Sequence, residues 1–248
     1  MYCLMRICLI CFLMCGWLQA ASSDRSPYNF SKPPPIRPLQ PRHVPQNISI
    51  IKPPLSVQKF LIVIDAGHGG QDVGTQSISK PRYQEKSLNL VTAQFVKGFL
   101  EQLGYQVFMT REEDVFISLD KRAQLANEKK PTLFVSIHYN SAPSAEAQGV
   151  EVFFYHSKDQ KERVAKSKHL AHAILKHVIA HTKAKSRGVK QANYAVIRET
   201  NMPAVLVEGG FVTNEEELQN LKDPTYLKRL AWGVVRGIED YLSKPMQN

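Results

Sequence analysis

The sequence predicts an α/β fold, in which a mixed, mostly parallel twisted sheet is flanked by helices on both faces of a single folded domain. Apolar runs typical of strands alternate along the chain with segments whose apolar residues have helical spacing. These runs are continuously hydrophobic, which is expected of strands that are covered on both faces. The 248 residues are 43% hydrophobic and 22% charged, so the composition predicts a globular protein with a substantial core.

The first predicted elements follow residue 58. The run FLIVID, which ends at Asp65, predicts a buried strand. From Lys86 onward the apolar residues recur with helical spacing, which predicts a helix that ends at Gly104. The segment YQVFMT predicts a second strand. The next predicted helix begins with Ser118 as its N-cap, and Pro131 follows its end.

The second half of the chain continues the alternation. TLFVSIHYNS and GVEVFFY predict two strands, and PAVLVEGGF predicts a further one. A helix is predicted over residues 158–182, before the last of these strands. NEEELQNLKD begins another helix, and a final helix is predicted over residues 224–242. Strands that alternate with helices in this way are typical of an α/β sandwich.

The N-terminus has the pattern of a secretory signal peptide, which we predict over residues 1–22. Arg6 precedes an apolar run from Ile7 to Leu18 that is too short to cross a bilayer comfortably, and small residues follow it. All four cysteines lie within the first 15 residues, so a cleaved chain has no thiol. Cys15 precedes a glycine, which leaves a lipid anchor at Cys15 as an alternative. Both interpretations predict export.

Residues 23–58 predict a linker, because they are dense in proline and lack apolar periodicity. The folded domain is then expected over residues 59–248. The formal net charge is +10, which favours acidic partners. A nucleic-acid partner is not expected, since the chain has an export signal and no arginine-rich helix.

Ionisable residues stand near the carboxyl ends of three predicted strands, at His68, His138 and Glu208. In open α/β sheets the ligand crevice lies at this edge, so residues far apart in the sequence converge there. Glu85 is a fourth candidate, because it begins the first long helix after a glycine-rich loop.

Two histidines and a carboxylate with an open position are the ligand set of a catalytic zinc site. We therefore predict that His68, Glu85 and His138 bind one zinc ion. A further carboxylate is needed to take a proton from water and deliver it to the leaving nitrogen, and Glu208 is the candidate for this base. On the residues alone, structural or surface roles for the two histidines remain the alternative.

Six segments in order carry a resemblance to a known family: DAGHGGQDVGT, QEKSLNL, SLDKRAQLAN, VSIHYNS, GVKQANYAVIRETNMPAVLVEGGFVTNEEE and AWGVVRGIEDYL. Together they resemble the zinc-dependent N-acetylmuramoyl-L-alanine amidases of the type 3 class, over about residues 59–243. The resemblance implies that residues 59–248 are an amidase catalytic domain with a mixed sheet. It also implies zinc ligands at His68, Glu85 and His138 and a catalytic Glu208. The implied reaction cleaves the amide between N-acetylmuramic acid and L-alanine of the peptidoglycan stem peptide.

The chain departs from the family pattern at two positions near these residues. Ala66 follows Asp65 where the family has proline, and Gly209 stands where a larger apolar residue is usual. The second departure predicts a reshaped floor behind Glu208. The spacing after GVEVFFY leaves no room for the autoinhibitory helix of relatives that act in cell separation. Asp65 has two interpretations: an acceptor that orients His68, or a residue that fixes the turn.

We expect an exported, periplasmic monomer that acts on peptidoglycan or muropeptides in wall remodelling, septum cleavage or recycling. The preference for polymer or soluble fragments and the need for a protein activator stay open. One alternative is a non-catalytic peptidoglycan-binding module, although such a module would be free to lose the four site residues. Another is an additional serine-based carboxypeptidase activity at Ser77, which begins a Ser-x-x-Lys string, SISK. Such short strings also arise by chance.

Overall fold

The structure of the protein is a computed structural model that describes residues 60–243. The predicted signal peptide, the candidate lipid anchor at Cys15 and the whole proline-rich linker lie outside the described residues, so they stay predictions. Within residues 60–243, no helix is both long and apolar enough to span a bilayer.

Six strands form one sheet in the order β2-β1-β3-β6-β4-β5. The strands are β1 (Leu61–Ala66), β2 (Gln106–Met109), β3 (Leu133–Asn140), β4 (Val150–Phe154), β5 (Ser186–Gln191) and β6 (Ala204–Phe211). Neighbouring strands pair in parallel, except β4 and β6, which are antiparallel. The prediction of a mixed, mostly parallel sheet is therefore confirmed.

Helices cover both faces of this sheet. They are α1 (Glu85–Gln102), α2 (Leu119–Lys129), α3 (Lys161–Thr182), α4 (Ala195–Arg198), α5 (Glu215–Lys222) and α6 (Pro224–Ser243). The larger core lies between the sheet and α1, α3 and α6, and includes Ile62 and Ile64. The smaller core contains Val63 and lies on the side of α2 and α4. Successive residues of β1 thus pack into different cores, which is why the run is apolar without alternation.

The sequence interpretation missed two elements and placed one boundary differently. β5 has the polar sequence SRGVKQ, because it is an edge strand and only half-buried. α4 is a single turn and is too short to show helical periodicity. The helix predicted over residues 158–182 begins at Lys161, because residues 155–160 form the connection from β4.

The topology brings several chain segments to one edge of the sheet. The parallel strands β1, β3 and β6 have their carboxyl ends at this edge, and α1 begins there. β4 runs in the opposite direction, so its first residues lie at the same edge, with Glu151 directly opposite Glu208 of β6. This arrangement determines which side chains meet in the candidate site.

Two glycines of α6 allow it to pack closely against α3. A Cβ atom at Gly233 would lie 2.6 Å from the Cα of Val178, and one at Gly237 would lie 2.4 Å from the Cα of Ile174. Because the obstructing atoms belong to the backbone of α3, they cannot move away as a side-chain tip would. The contact therefore needs residues without a side chain at both positions.

We expect the substitution Gly237→Ala to lower the free energy of unfolding by about 1–3 kcal/mol, the usual cost of overpacking a core. The matched control is Gly98→Ala in α1, where an added Cβ atom meets no heavy atom within 4 Å. That control should raise stability by up to about 1 kcal/mol, since alanine favours the helix. Urea denaturation of both variants checks this. Equal effects of the two substitutions would contradict the packing argument.

Candidate active site

A cavity of about 300 Å³ lies at the carboxyl edge of the parallel strands. All four residues predicted from the sequence line it: His68, Glu85, His138 and Glu208. The structure therefore brings together residues that are separated by up to 140 positions in the chain. Their individual roles stay predictions, which the geometry below supports.

The three candidate metal ligands converge on one point. His68 Nε2 lies 3.1 Å from Glu85 Oε2, and His138 Nδ1 lies 2.9 Å from Glu85 Oε1. One potential ligand atom from each residue lies within 4.8 Å of the other two. Two imidazole nitrogens and a carboxylate oxygen are donors that suit zinc. Among the described residues, this is the one such group of three.

Glu85 is held in place from several directions. Burial alone would raise the pKa of this carboxyl group, but the hydrogen bonds from His138 and His68 lower it below the ordinary range. Thr75 N donates to Oε2 at 2.9 Å, and Asn89 Nδ2 donates to Oε1 at 3.2 Å. The carboxylate is thus charged and fixed in orientation, as a metal ligand must be.

The loop that carries His68 depends on glycine. A Cβ atom at Gly67 would lie 2.1 Å from Cε1 of His138, and one at Gly74 would lie 2.5 Å from Glu85 Oε2. His68 itself has a φ of 58°, which is uncommon for a residue other than glycine. Such backbone conformations cluster at functional sites, where the surrounding structure stabilises them.

Asp72 binds the second nitrogen of the His68 ring. Its Oδ2 lies 2.8 Å from His68 Nδ1, while its Oδ1 accepts a hydrogen bond from Gly74 N at 3.2 Å. This contact leaves Nε2 of His68 directed toward Glu85. An acceptor on the far nitrogen is the usual partner of a metal-binding histidine. The sequence analysis missed this residue, although an acid four positions after His68 in a glycine-rich loop was a signal for it.

Asp65 does not contact His68, so the structure favours the interpretation in which it fixes the turn. Its carboxylate accepts hydrogen bonds from Thr110 Oγ1 at 2.5 Å, from Ser136 Oγ at 2.7 Å and from Arg122 Nη1 at 2.9 Å. Burial alone would raise the pKa of Asp65, but Arg122 and these hydrogen bonds lower it. The negative charge of the buried Asp65 carboxylate is thus balanced by Arg122 and by two hydroxyl donors.

Two buried arginines tie down the backbone between β1 and His68. Arg122 donates to the carbonyl oxygens of Ala66 and His68, each at 2.6 Å. Arg111 donates to the carbonyl oxygens of Ala66 at 2.8 Å and Gly67 at 2.7 Å. Every carbonyl from residue 66 to 68 therefore has a charged donor, which holds the loop and positions the His68 ring.

Glu208 lines the cavity and forms no ion pair with a basic side chain among the described residues. It pairs with His138 across β3 and β6, and its side-chain oxygen Oε2 is buried with no hydrogen-bond partner. Burial, and then the negative charges of Glu85 and Glu151, raise its pKa well above the ordinary value. A buried carboxyl group with one oxygen unpaired among the described residues and with a raised pKa is a candidate for proton transfer.

Gly209, where the family usually has a larger apolar residue, lies in the floor behind Glu208, and its neighbours fill the space of the missing side chain. A Cβ atom at Gly209 would lie 2.7 Å from Cε1 of Tyr139 and 2.9 Å from Cδ1 of Leu230. The Tyr139 hydroxyl is anchored by Thr92 Oγ1 at 2.6 Å. The tyrosine ring and the leucine thus occupy the space that a larger residue at position 209 would need.

Ser77 is buried and lies outside the cavity lining. Its hydroxyl donates to Ser79 O at 3.2 Å and accepts from Tyr83 N at 2.8 Å. Both the donor and the acceptor of the hydroxyl are therefore used in hydrogen bonds within the loop. This geometry does not support Ser77 as a nucleophile. Among the described residues, none between 155 and 193 lines the cavity; that no autoinhibitory helix follows GVEVFFY stays a prediction.

Comparisons with known proteins identify the family. A family model described as N-acetylmuramoyl-L-alanine amidase (Amidase_3) matches residues 62–240. The protein named probable cell wall amidase LytH from Staphylococcus epidermidis is 34% identical over 201 residues, which cover 81% of this chain. The match spans 64% of that relative. The uncharacterized protein YqiI from Bacillus subtilis is 34% identical over 73% of this chain and 84% of its own length.

Solved structures of similar proteins share the fold. The N-acetylmuramoyl-L-alanine amidase from Clostridium difficile 630 superposes with a TM-score of 0.70 and 37% identity, over 75% of this chain and 98% of that one. The catalytic domain of CwlV from Paenibacillus polymyxa superposes with a TM-score of 0.69 and 38% identity, over 74% and 98% of the two chains.

Proposed function

The chain belongs to the family of N-acetylmuramoyl-L-alanine amidases, and from this premise we propose that it hydrolyses peptidoglycan. The bond cleaved is the amide between the lactyl group of N-acetylmuramic acid and L-alanine of the stem peptide. The cofactor is one zinc ion. The observation that carries the proposal is the meeting of three metal-binding donors with a free, buried carboxyl group in one cavity.

The donor set fits zinc and would hold it through His68, Glu85 and His138. When bound, zinc would supply a Lewis acid that polarises the amide carbonyl and makes water more acidic. Asp72 orients the His68 ring through Nδ1, and Asn89 with Thr75 orients the Glu85 carboxylate. These contacts prepare the ligands before the metal arrives, which reduces the cost of binding it.

Glu208 is the proton carrier in this proposal. Its unpartnered oxygen accepts a proton from the attacking water as the new C–O bond forms, and returns it to the alanine nitrogen as the C–N bond breaks. The products are a free carboxylate on the lactyl group and a free amine on the stem peptide. Burial, and after it the neighbouring charges of Glu85 and Glu151, raise the pKa of Glu208 and so favour its proton uptake.

The proposed setting is outside the cytoplasm, where peptidoglycan lies. The relative from Staphylococcus epidermidis is named a cell wall amidase, and the predicted signal peptide agrees with export to the periplasm. We propose a monomer that acts on peptidoglycan or muropeptides in wall remodelling, septum cleavage or recycling.

We expect the purified protein to release stem peptides with a free N-terminal L-alanine from purified peptidoglycan, as identified by mass spectrometry. A chelator should abolish release, because the three ligands alone cannot polarise the amide, and added zinc should restore it. Binding of peptidoglycan without release would instead indicate a binding module. Release of terminal D-alanine would indicate a carboxypeptidase, and release that resists the chelator would contradict the zinc assignment.

A further inference from the structure

Asn140 lies next to the proposed catalytic groups. It is the last residue of β3, two positions after His138, and it lines the same cavity as Glu208. His138 and Asn140 both line this cavity, and the pairing of β3 with β6 is irregular between them. The proposed reaction assigns no function to Asn140, although this residue lines the cavity that the proposed catalytic groups share.

The orientation of the Asn140 amide is determined by its two neighbours. Oδ1 accepts a hydrogen bond from Ser141 N at 2.8 Å, and Nδ2 donates to Glu151 Oε1 at 2.7 Å. The reverse orientation would place an oxygen against a carboxylate and a donor against an N–H group. The amide nitrogen carries two hydrogens, and one of them has no acceptor among the described residues.

Glu151 is a buried acceptor that holds Asn140 in this orientation. It is 3% exposed, and its second oxygen, Oε2, binds Arg187 Nε at 3.0 Å and Lys190 Nζ. The Arg187 guanidinium also lies 4.8 Å from the centre of the Phe211 ring, and Phe211 pairs with Asn140 across the sheet. Two cations therefore balance the Glu151 charge and prevent its rotation, which leaves Oε1 for Asn140.

We propose that Asn140 is a substrate-binding residue, which donates its remaining Nδ2 hydrogen to a carbonyl oxygen of the bound muramoyl peptide, and that Glu151 is its positioning residue. This inference rests on the proposed function, because it takes its ligand from the proposed reaction. Carbonyl oxygens flank the scissile bond on both sides, on the muramoyl side and along the stem peptide. A bound group without an acceptor would leave the donor unsatisfied as water leaves the cavity, so the contact selects amide-rich ligands.

Two substitutions separate the roles of Asn140 and Glu151. Asn140→Ala removes the donor. Glu151→Gln keeps the size of the side chain, but its amide must direct the oxygen toward Arg187 and Lys190 and its NH₂ group toward Asn140. The new NH₂ group then faces the NH₂ group of Asn140, so the Asn140 amide is no longer held in its orientation. If Glu151 acts through Asn140, the double variant should be no worse than Asn140→Ala alone.

The experiment measures binding of N-acetylmuramoyl-L-alanyl-D-isoglutamine by calorimetry to zinc-loaded full-length protein carrying Glu208→Gln, which prevents turnover. We expect Asn140→Ala and Glu151→Gln each to raise Kd on the order of tenfold, with non-additive effects and unchanged zinc content. Asn140→Asp, which keeps the shape and the acceptor for Ser141 N, should bind at least as weakly as Asn140→Ala. The control is Lys185→Ala, an exposed cation just before β5, with an unchanged Kd expected.

The outcomes distinguish this inference from the proposed function. A wild-type protein that neither cleaves peptidoglycan nor binds the dipeptide overturns both. A wild-type protein that cleaves, together with an Asn140→Ala variant of unchanged Kd, overturns the role of Asn140 alone. Additive losses in the double variant overturn the positioning role of Glu151.

Discussion

Glu208→Ala is expected to abolish release of stem peptides while the protein retains one zinc ion per chain. The carboxyl group is the proposed proton carrier, and proton transfer by a positioned side chain contributes on the order of 10²–10⁴-fold to a rate. His68 and His138 both bind Glu85, and Glu208 Oε2 has no hydrogen-bond partner, so removal of the Glu208 carboxyl group leaves the donor set intact. Metal analysis and mass spectrometry of peptidoglycan digests measure both properties in the same samples.

The matched control for this prediction is Glu146→Ala. Glu146 is an exposed acid in the loop between β3 and β4, and it lies outside the cavity lining. It should retain full activity, so a loss confined to Glu208→Ala is not a general effect of removing a negative charge. A Glu208→Ala variant that still releases stem peptides would show that another group transfers the proton.

Arg122→Met should lower the free energy of unfolding by about 3–5 kcal/mol, the usual cost of leaving a buried charge without its partner. Arg122 is 2% exposed and Asp65 is 0% exposed, so water cannot replace the lost contact. The carbonyl oxygen of His68 also loses the guanidinium that binds it, while that of Ala66 keeps only Arg111. We expect weaker zinc binding as well, because the loop that carries His68 is no longer tied to α2.

Two further variants make this prediction specific. The double variant Asp65→Asn and Arg122→Met should be more stable than Arg122→Met alone, because the unpaired negative charge is removed. Arg198→Ala removes a partly exposed arginine paired with the exposed Glu199, and should change stability by less than about 1 kcal/mol. Urea denaturation gives all three values. A single Arg122→Met variant as stable as wild type would contradict the role assigned to the buried pair.

Much of the fold is predictable because it depends on local patterns. β1, β3 and β6 each begin with an apolar run because both of their faces are buried, and such a run is visible in a short window of the sequence. The N-cap of α2 at Ser118 follows from the chemistry of one side chain, and the structure confirms it. β5 was missed because its sequence SRGVKQ is polar and it is only half-buried at the edge of the sheet, so it has no apolar pattern to detect.

The sequence by itself determined the alternation of strands and helices, and it indicated the four residues that stand near the carboxyl edge of the sheet. The general rule for open α/β sheets was enough to expect that His68, His138 and Glu208 meet. The tertiary structure alone decided how these residues are supported. Asp72 binds His68 within an irregular loop, and Arg111 and Arg122 reach the same backbone from distant elements. Such contacts have no periodicity, because they form only after β1 has paired with β2 and β3 and the helices have packed on the sheet.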